Sequence, residues 1–147
     1  MKTLRAWIII SWLLLPAVMG GGGLLLRRLT VGNPDPFALT WIRAFHAHGA
    51  VLIILSIVYY LCLDRTSPSS PVKNAASATC FLGIGALAGG FFIHALVGEA
   101  GDASVGTMIS VLGAIAIASA ILVLVYGLLR TPSGGPDPAI GVERAAR

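Results

Sequence analysis

His46 and His48 stand in the stretch Trp41-Ile42-Arg43-Ala44-Phe45-His46-Ala47-His48-Gly49, which opens an otherwise apolar run reaching Leu63. Two imidazoles and a guanidinium in such a run need partners, water or a bound group, because ionisable side chains are expensive in hydrocarbon. A third imidazole, His94, lies near the end of another apolar run. Imidazoles in this setting have three uses. One can be an axial ligand of haem iron, with a cation such as Arg43 beside a propionate. Several can bind zinc or copper where three or four ligands converge. Each can also simply hydrogen-bond a neighbouring helix while Arg43 snorkels outward.

Helical spacing orders these candidates. At about 3.6 residues per turn, Arg43, His46, Gly49, Ala50 and Ile53 share one broad face, and His48 points about 200° from His46. One face therefore offers an imidazole with small residues below it, as a flat macrocycle beside the helix requires. The divergence of His46 and His48 counts against a compact metal site. His46 is the candidate haem or metal ligand, and Arg43, Gly49 and Ala50 are the other cofactor-side candidates. His94 is a candidate acid or base; Glu99 and Asp102, in the loop beyond it, are either its proton acceptors or solvated loop charges. The chain has no G-x-S-x-G, H-E-x-x-H or P-loop pattern, so the chemistries those patterns serve are not expected.

The elements that position these residues follow from composition. Of 147 residues, 56% are hydrophobic and 11% charged, with a mean hydropathy of +0.89. That leaves too little polar surface for a soluble globule, and a lipid bilayer is the expected surrounding. A spanning helix needs about 20 apolar residues, and four segments qualify, about 6–26, 39–62, 76–97 and 105–129. The expected fold is all-α, an antiparallel four-helix transmembrane bundle forming one domain over 1–130. The stretch Asp64 to Asn74 is expected to be a polar loop. Residues 131–147, rich in proline and glycine, are expected to form a disordered cytoplasmic tail. The first apolar run resumes through Leu24-Leu25-Leu26, which suits a retained helix better than a cleaved signal peptide.

The net charge of +4 sits at helix ends, which argues for topology signals and against nucleic acid. Lys2, Arg5, Arg65, Lys73, Arg130, Arg144 and Arg147 fall on one side, Arg27, Arg28 and Arg43 on the other. This bias predicts cytoplasmic N- and C-termini in a bacterial-type inner membrane. Helix two then runs inward and helix three outward, so the three histidines share a depth. Cys62 and Cys80 are expected to be packing residues without a disulfide. Gly85 with Gly89, and Gly106, Ser110, Ala114 and Ala118 at four-residue spacing, predict close helix contacts within the bundle or a homo-oligomer. Gly20 to Gly23 either admit a helix or flat ligand or mark a loosened helix end.

Trp41-x-Arg43-Ala44 leading into a histidine, His46-x-x-Gly49, and Gly89-Gly90-Phe91-Phe92 with Ala95-Leu96-Val97-Gly98 carry a resemblance. In a four-helix chain of this size they resemble the small membrane isomerases of the styrene oxide isomerase and hydroxylaminobenzene mutase group. The resemblance implies haem b with His46 as iron ligand, and an open iron position acting as Lewis acid on a substrate oxygen. It implies rearrangement of a small apolar epoxide or arylhydroxylamine. Leu52 stands where that family has an asparagine, and Phe91 or Phe92 where a tyrosine is expected; His94 or His48 would then supply the polar catalytic function. Two other classes stay open: a non-catalytic pigment-, haem- or metal-binding small subunit of a larger membrane complex, and a proton-relay transporter.

Overall fold

In hydrocarbon a chain segment must satisfy its own backbone, which these apolar runs do as helices. The structure, a computed structural model, describes residues 2–32 and 35–131. The described residues form four helices: α1 (Lys2–Val31), α2 (Pro36–Asp64), α3 (Ser70–Val97) and α4 (Val105–Arg130). All four are long and apolar enough to cross a membrane. The tail expected over 131–147 lies, from residue 132 on, outside the described residues.

The helices outrun their apolar segments because capping residues start them earlier. Asp35 accepts from the Phe37 and Ala38 amides, and Pro36 occupies the first helical position, where a missing N–H does no harm. Ser69 precedes α3, whose second residue is Pro71, so helix replaces much of the loop expected over 64–74. At 30 residues, α1 is about 45 Å long, more than the roughly 30 Å of a bilayer core.

The bundle is antiparallel and open. α2 packs between α1 and α3, α3 packs between α2 and α4, and α1 does not reach α4 among the described residues. The tightest crossing is α3 on α4. A Cβ on Gly106 would strike the Gly90 carbonyl oxygen and the His94 amide, and one on Gly113 would strike the Gly83 carbonyl oxygen and the Leu87 amide. Ser110 adds a hydrogen bond from its hydroxyl to the Leu87 carbonyl at 3.0 Å.

The expected four-residue ladders are corrected here. Ala114 and Ala118 are exposed, and Gly113 and Ala120 take their places in the seam. A strict four-residue step turns about 40° further each time around the helix, so the row leaves the interface after two steps. A seam that alternates steps of three and four stays in it. On α3, Gly83 and Gly90 make the close approach, whereas a Cβ at Gly85 or Gly89 meets nothing within 4 Å.

Between α1, α2 and α3 runs a second seam. Trp7, Ser11, Leu14 and Val18 face Tyr60, Ser56, Ile53 and Gly49, with Phe81, Ile84 and Ala88 completing it. Trp7 stacks at 5.4 Å from Phe81 and 6.5 Å from Tyr60 between ring centroids. Its indole N–H donates to Asn74 Oδ1 at 2.9 Å. Cys80 is buried and Cys62 partly so, both free, as packing residues should be.

Candidate functional site

His94 stands at the end of the bundle that carries the 98–104 turn, beside Phe37 and Trp41, and His46 and His48 lie one to two turns further along α2 and face other ways. His94 is 2% exposed. Its Nδ1 lies 2.7 Å from Ser104 Oγ, the N-cap of α4, which also accepts from the Gly106 amide at 3.1 Å. Phe37 and Trp41 of α2 close over the imidazole, with centroids 5.3 and 4.4 Å away and Trp41 nearly perpendicular at 85°. Gly98 and Gly106 are required beside it, since a Cβ on either would overlap its ring or backbone. Glu99 and Asp102 are exposed, and the Nδ1 partner is Ser104 instead.

His48 is exposed on α2. Its Nδ1 lies 2.9 Å from the Ala44 carbonyl oxygen, which can only accept, so Nδ1 donates there, and in the neutral ring Nε2 carries the lone pair. Its ring stands against Phe91 at 5.0 Å. Phe91 also touches Trp41, and Phe92 packs on Phe45, so these two aromatics build the wall that α3 presents to α2.

His46 faces α1. Its Cε1 and Nε2 lie 2.7 Å from where a Cβ on Gly22 would be, so the ring rests on a stretch of α1 that only glycine leaves bare. Of Gly20 to Gly23, Gly22 alone makes this close approach, within an unbroken helix. His46 also lines a half-open cleft of about 290 Å³ with Ala17, Val18, Gly21, Leu25, Ile42 and Phe45. It makes no side-chain hydrogen bond among the described residues, unlike His48 and His94.

The face expected around His46 is divided between two grooves. α2 sits between α1 and α3, so a turn of about 60° between positions three apart takes Gly49 out of the His46 cleft and into the seam where α1, α2 and α3 meet. Gly49 is buried with Ala88 as its nearest neighbour, on α3. Ala50 is partly buried, and Arg43 is exposed one turn before His46. No group of three or more His, Cys, Asp or Glu among the described residues is placed to hold a metal ion. The expected metal role of His46 therefore has no cluster behind it.

Sequence patterning missed two serine positions that organise the seam. Ser56 donates to the Ile53 carbonyl at 2.7 Å, so the Ser11 hydroxyl, 3.0 Å from Ser56 Oγ, is the donor of that pair. Serine is nearly neutral in hydropathy, and only its register with Tyr60 and Trp7 marks it. Comparison with protein-family models, curated proteins and solved structures finds no match to this chain.

Proposed function

We propose that this chain is an integral membrane haem b-binding protein of isomerase type, with His46 as the iron ligand and Arg43 as propionate partner. The observation that carries the reading is an imidazole without a hydrogen-bond partner on an apolar, half-open cleft. His46 is partly buried, and a polar ring left unpaired against an apolar surface is resolved by ligation. At about 290 Å³ the cleft lies at the lower end of the range of small-molecule sites, roughly 300–1,000 Å³. The Cε1 and Nε2 edge rests on Gly22; bonding through Nε2 therefore requires the ring to turn into the adjoining cleft. With that turn, His46 would be the residue that holds the iron.

Bound haem would supply an iron Lewis acid to a substrate oxygen. The chain's own residues exclude water, since Ala17, Val18, Leu25, Ile42 and Phe45 make the cleft apolar. His94 keeps Nε2 as the nitrogen not engaged by Ser104. His48 offers an Nε2 lone pair with its Nδ1 proton fixed on a carbonyl, the arrangement that prepares an imidazole for ligation. The substrate class of this reading is a small apolar epoxide or arylhydroxylamine, and the chain is a homo-oligomer in an inner membrane with both termini cytoplasmic.

The second reading is a non-catalytic haem- or pigment-holding subunit of a larger complex. It is favoured by the cleft's lining, in which His46 is the one polar side chain. Absorption spectra of the detergent-purified protein, with ample haem, test both. The parent and His48→Ala are expected to show a Soret band that His46→Ala lacks. A colourless parent rejects haem in either reading. A coloured protein that turns over neither an epoxide nor an arylhydroxylamine leaves the subunit.

A further inference from the structure

Between the first turns of α3 and the last turns of α4 runs a shallow groove of about 270 Å³. Ala75, Ala76 and Thr79 of α3 and Ser119, Ala120 and Val123 of α4 are among its walls. Its depth comes from the short alanine and serine side chains. Ser119 gives its proton to the Ala116 carbonyl at 2.8 Å, so the groove has little polar character. Ala75 and Ser119 are exposed, and both helices are long and apolar enough to cross a membrane. In a bilayer such a groove is filled by an acyl chain, and what the protein can select is the head that the chain carries.

The α4 wall continues towards the end of the bundle as Ser119, Val123, Tyr126 and Arg130, steps of four, three and four that keep to one face. About 10 Å of helix separate Val123 from Arg130, enough to pass from hydrocarbon towards the headgroups. The Arg130 guanidinium lies over the Tyr126 ring, 5.1 Å from its centroid. A guanidinium held on an aromatic face keeps its N–H edge for a phosphate, which it can grip with two parallel bonds. The Ser67 amide donates to Thr131 Oγ1 at 3.0 Å, so this end of α4 is level with the start of α3. Ser69, exposed at that level, makes no side-chain cap bond. Arg5, Arg65, Lys73 and Arg130 stand at this end of the bundle against one carboxylate, Asp64, among the described side chains.

We infer that the α3–α4 groove docks an anionic phospholipid, with one acyl chain along Ala75, Ala76 and Ala120 and the phosphate on Arg130, the Ser69 hydroxyl being a second donor. Charge complementarity sets the choice of head. A phosphatidylcholine head carries the same phosphate with a compensating cation, which this end of the bundle repels. The groove lies at the end opposite the 98–104 turn and does not rest on the haem reading.

The test is native mass spectrometry of the full haem-free chain, released from detergent micelles that hold equal amounts of two lipids. These are palmitoyl-oleoyl phosphatidylglycerol and palmitoyl-oleoyl phosphatidylcholine, which share their chains. The phosphatidylglycerol is expected to be retained in preference. Arg130→Gln should cut that preference about five-fold, the worth of one cation near an anionic surface. Arg5→Gln removes the same charge from α1, which does not reach α4 among the described residues, and should leave the preference intact. Ala75→Leu and Ser119→Leu, each at an exposed position, fill the groove and should each lower retention of both lipids. Equal retention of the two lipids by the parent overturns the proposal. Equal effects of Arg5→Gln and Arg130→Gln overturn it too, since the preference would then follow the net charge of that end alone. Retention that survives both leucine variants removes the groove.

Discussion

The Nδ1 of His94 lies 2.7 Å from the Oγ of Ser104, and through that contact the last turn of α3 is tied to the first turn of α4. The same Oγ accepts from the Gly106 amide, and Thr107 Oγ1 accepts from the Ser104 amide, so one serine serves both a helix cap and a buried imidazole. Losing an N-cap serine costs about 1 kcal/mol, and here an imidazole nitrogen is also stranded. Ser104→Ala is expected to destabilise by about 1–3 kcal/mol, with Ser104→Thr close to the parent. Thermal unfolding in detergent checks this, and an unchanged midpoint for the alanine variant removes the tie.

Adjacent tyrosines should respond oppositely to loss of a hydroxyl. Tyr59 donates to the Ala120 carbonyl at 3.0 Å, whereas the Tyr60 hydroxyl, fully buried beside Ser11 and Ser56, makes no hydrogen bond of good geometry among the described residues. Tyr59→Phe is expected to cost about 0.6–1 kcal/mol, the worth of an interhelical hydrogen bond in a membrane protein. Tyr60→Phe should be neutral or stabilising, because a buried hydroxyl without a partner disappears. The two midpoints measured side by side decide it; a Tyr60→Phe loss as large as that of Tyr59→Phe would mean that Tyr60 has a partner.

These contrasts bear on what the sequence could disclose. Hydropathy locates all four spans, since about 20 apolar residues in a row admit few alternatives. It misses the early starts of α2 and α3, because Asp35, Pro36, Ser69 and Pro71 act through caps and fixed backbone angles instead of through apolarity. It expects three histidines at one depth; in the structure His94 stands beside Phe37 and Trp41, a turn or more before His46 and His48 on α2. It does not say which groove each faces, because α2 has neighbours on two sides. Ser11 and Ser56 escape notice because their partnership spans two helices 45 residues apart in sequence.

Glycines on α3 and α4 differ in what a methyl group would meet. At Gly106 it would overlap the His94 amide and the Gly90 carbonyl; at Gly89 it meets nothing. Gly106→Ala is expected to force the helices apart and cost about 1–3 kcal/mol, the usual penalty of overpacking. Gly89→Ala should be neutral or slightly stabilising, as alanine is the better helix former. Equal responses at the two positions would contradict the close crossing of α3 on α4.

Gly22 and His46 form a pair whose coupling reports on the haem reading. A methyl group at Gly22 would sit 2.7 Å from Cε1 and Nε2 of His46, so Gly22→Ala must displace the ring. The expected loss is about 1–3 kcal/mol in the parent and about zero in the His46→Ala background. That cycle tests the packing alone. If ligation turns the imidazole into the cleft, the ring has already left Gly22 in the haem-loaded protein. Gly22→Ala should then destabilise the haem-free form and spare the loaded one, and by linkage haem affinity should rise by the same factor. A penalty equal in both forms would keep the ring on α1 throughout, and His48, with its Nε2 lone pair on an exposed face, would become the ligand to test.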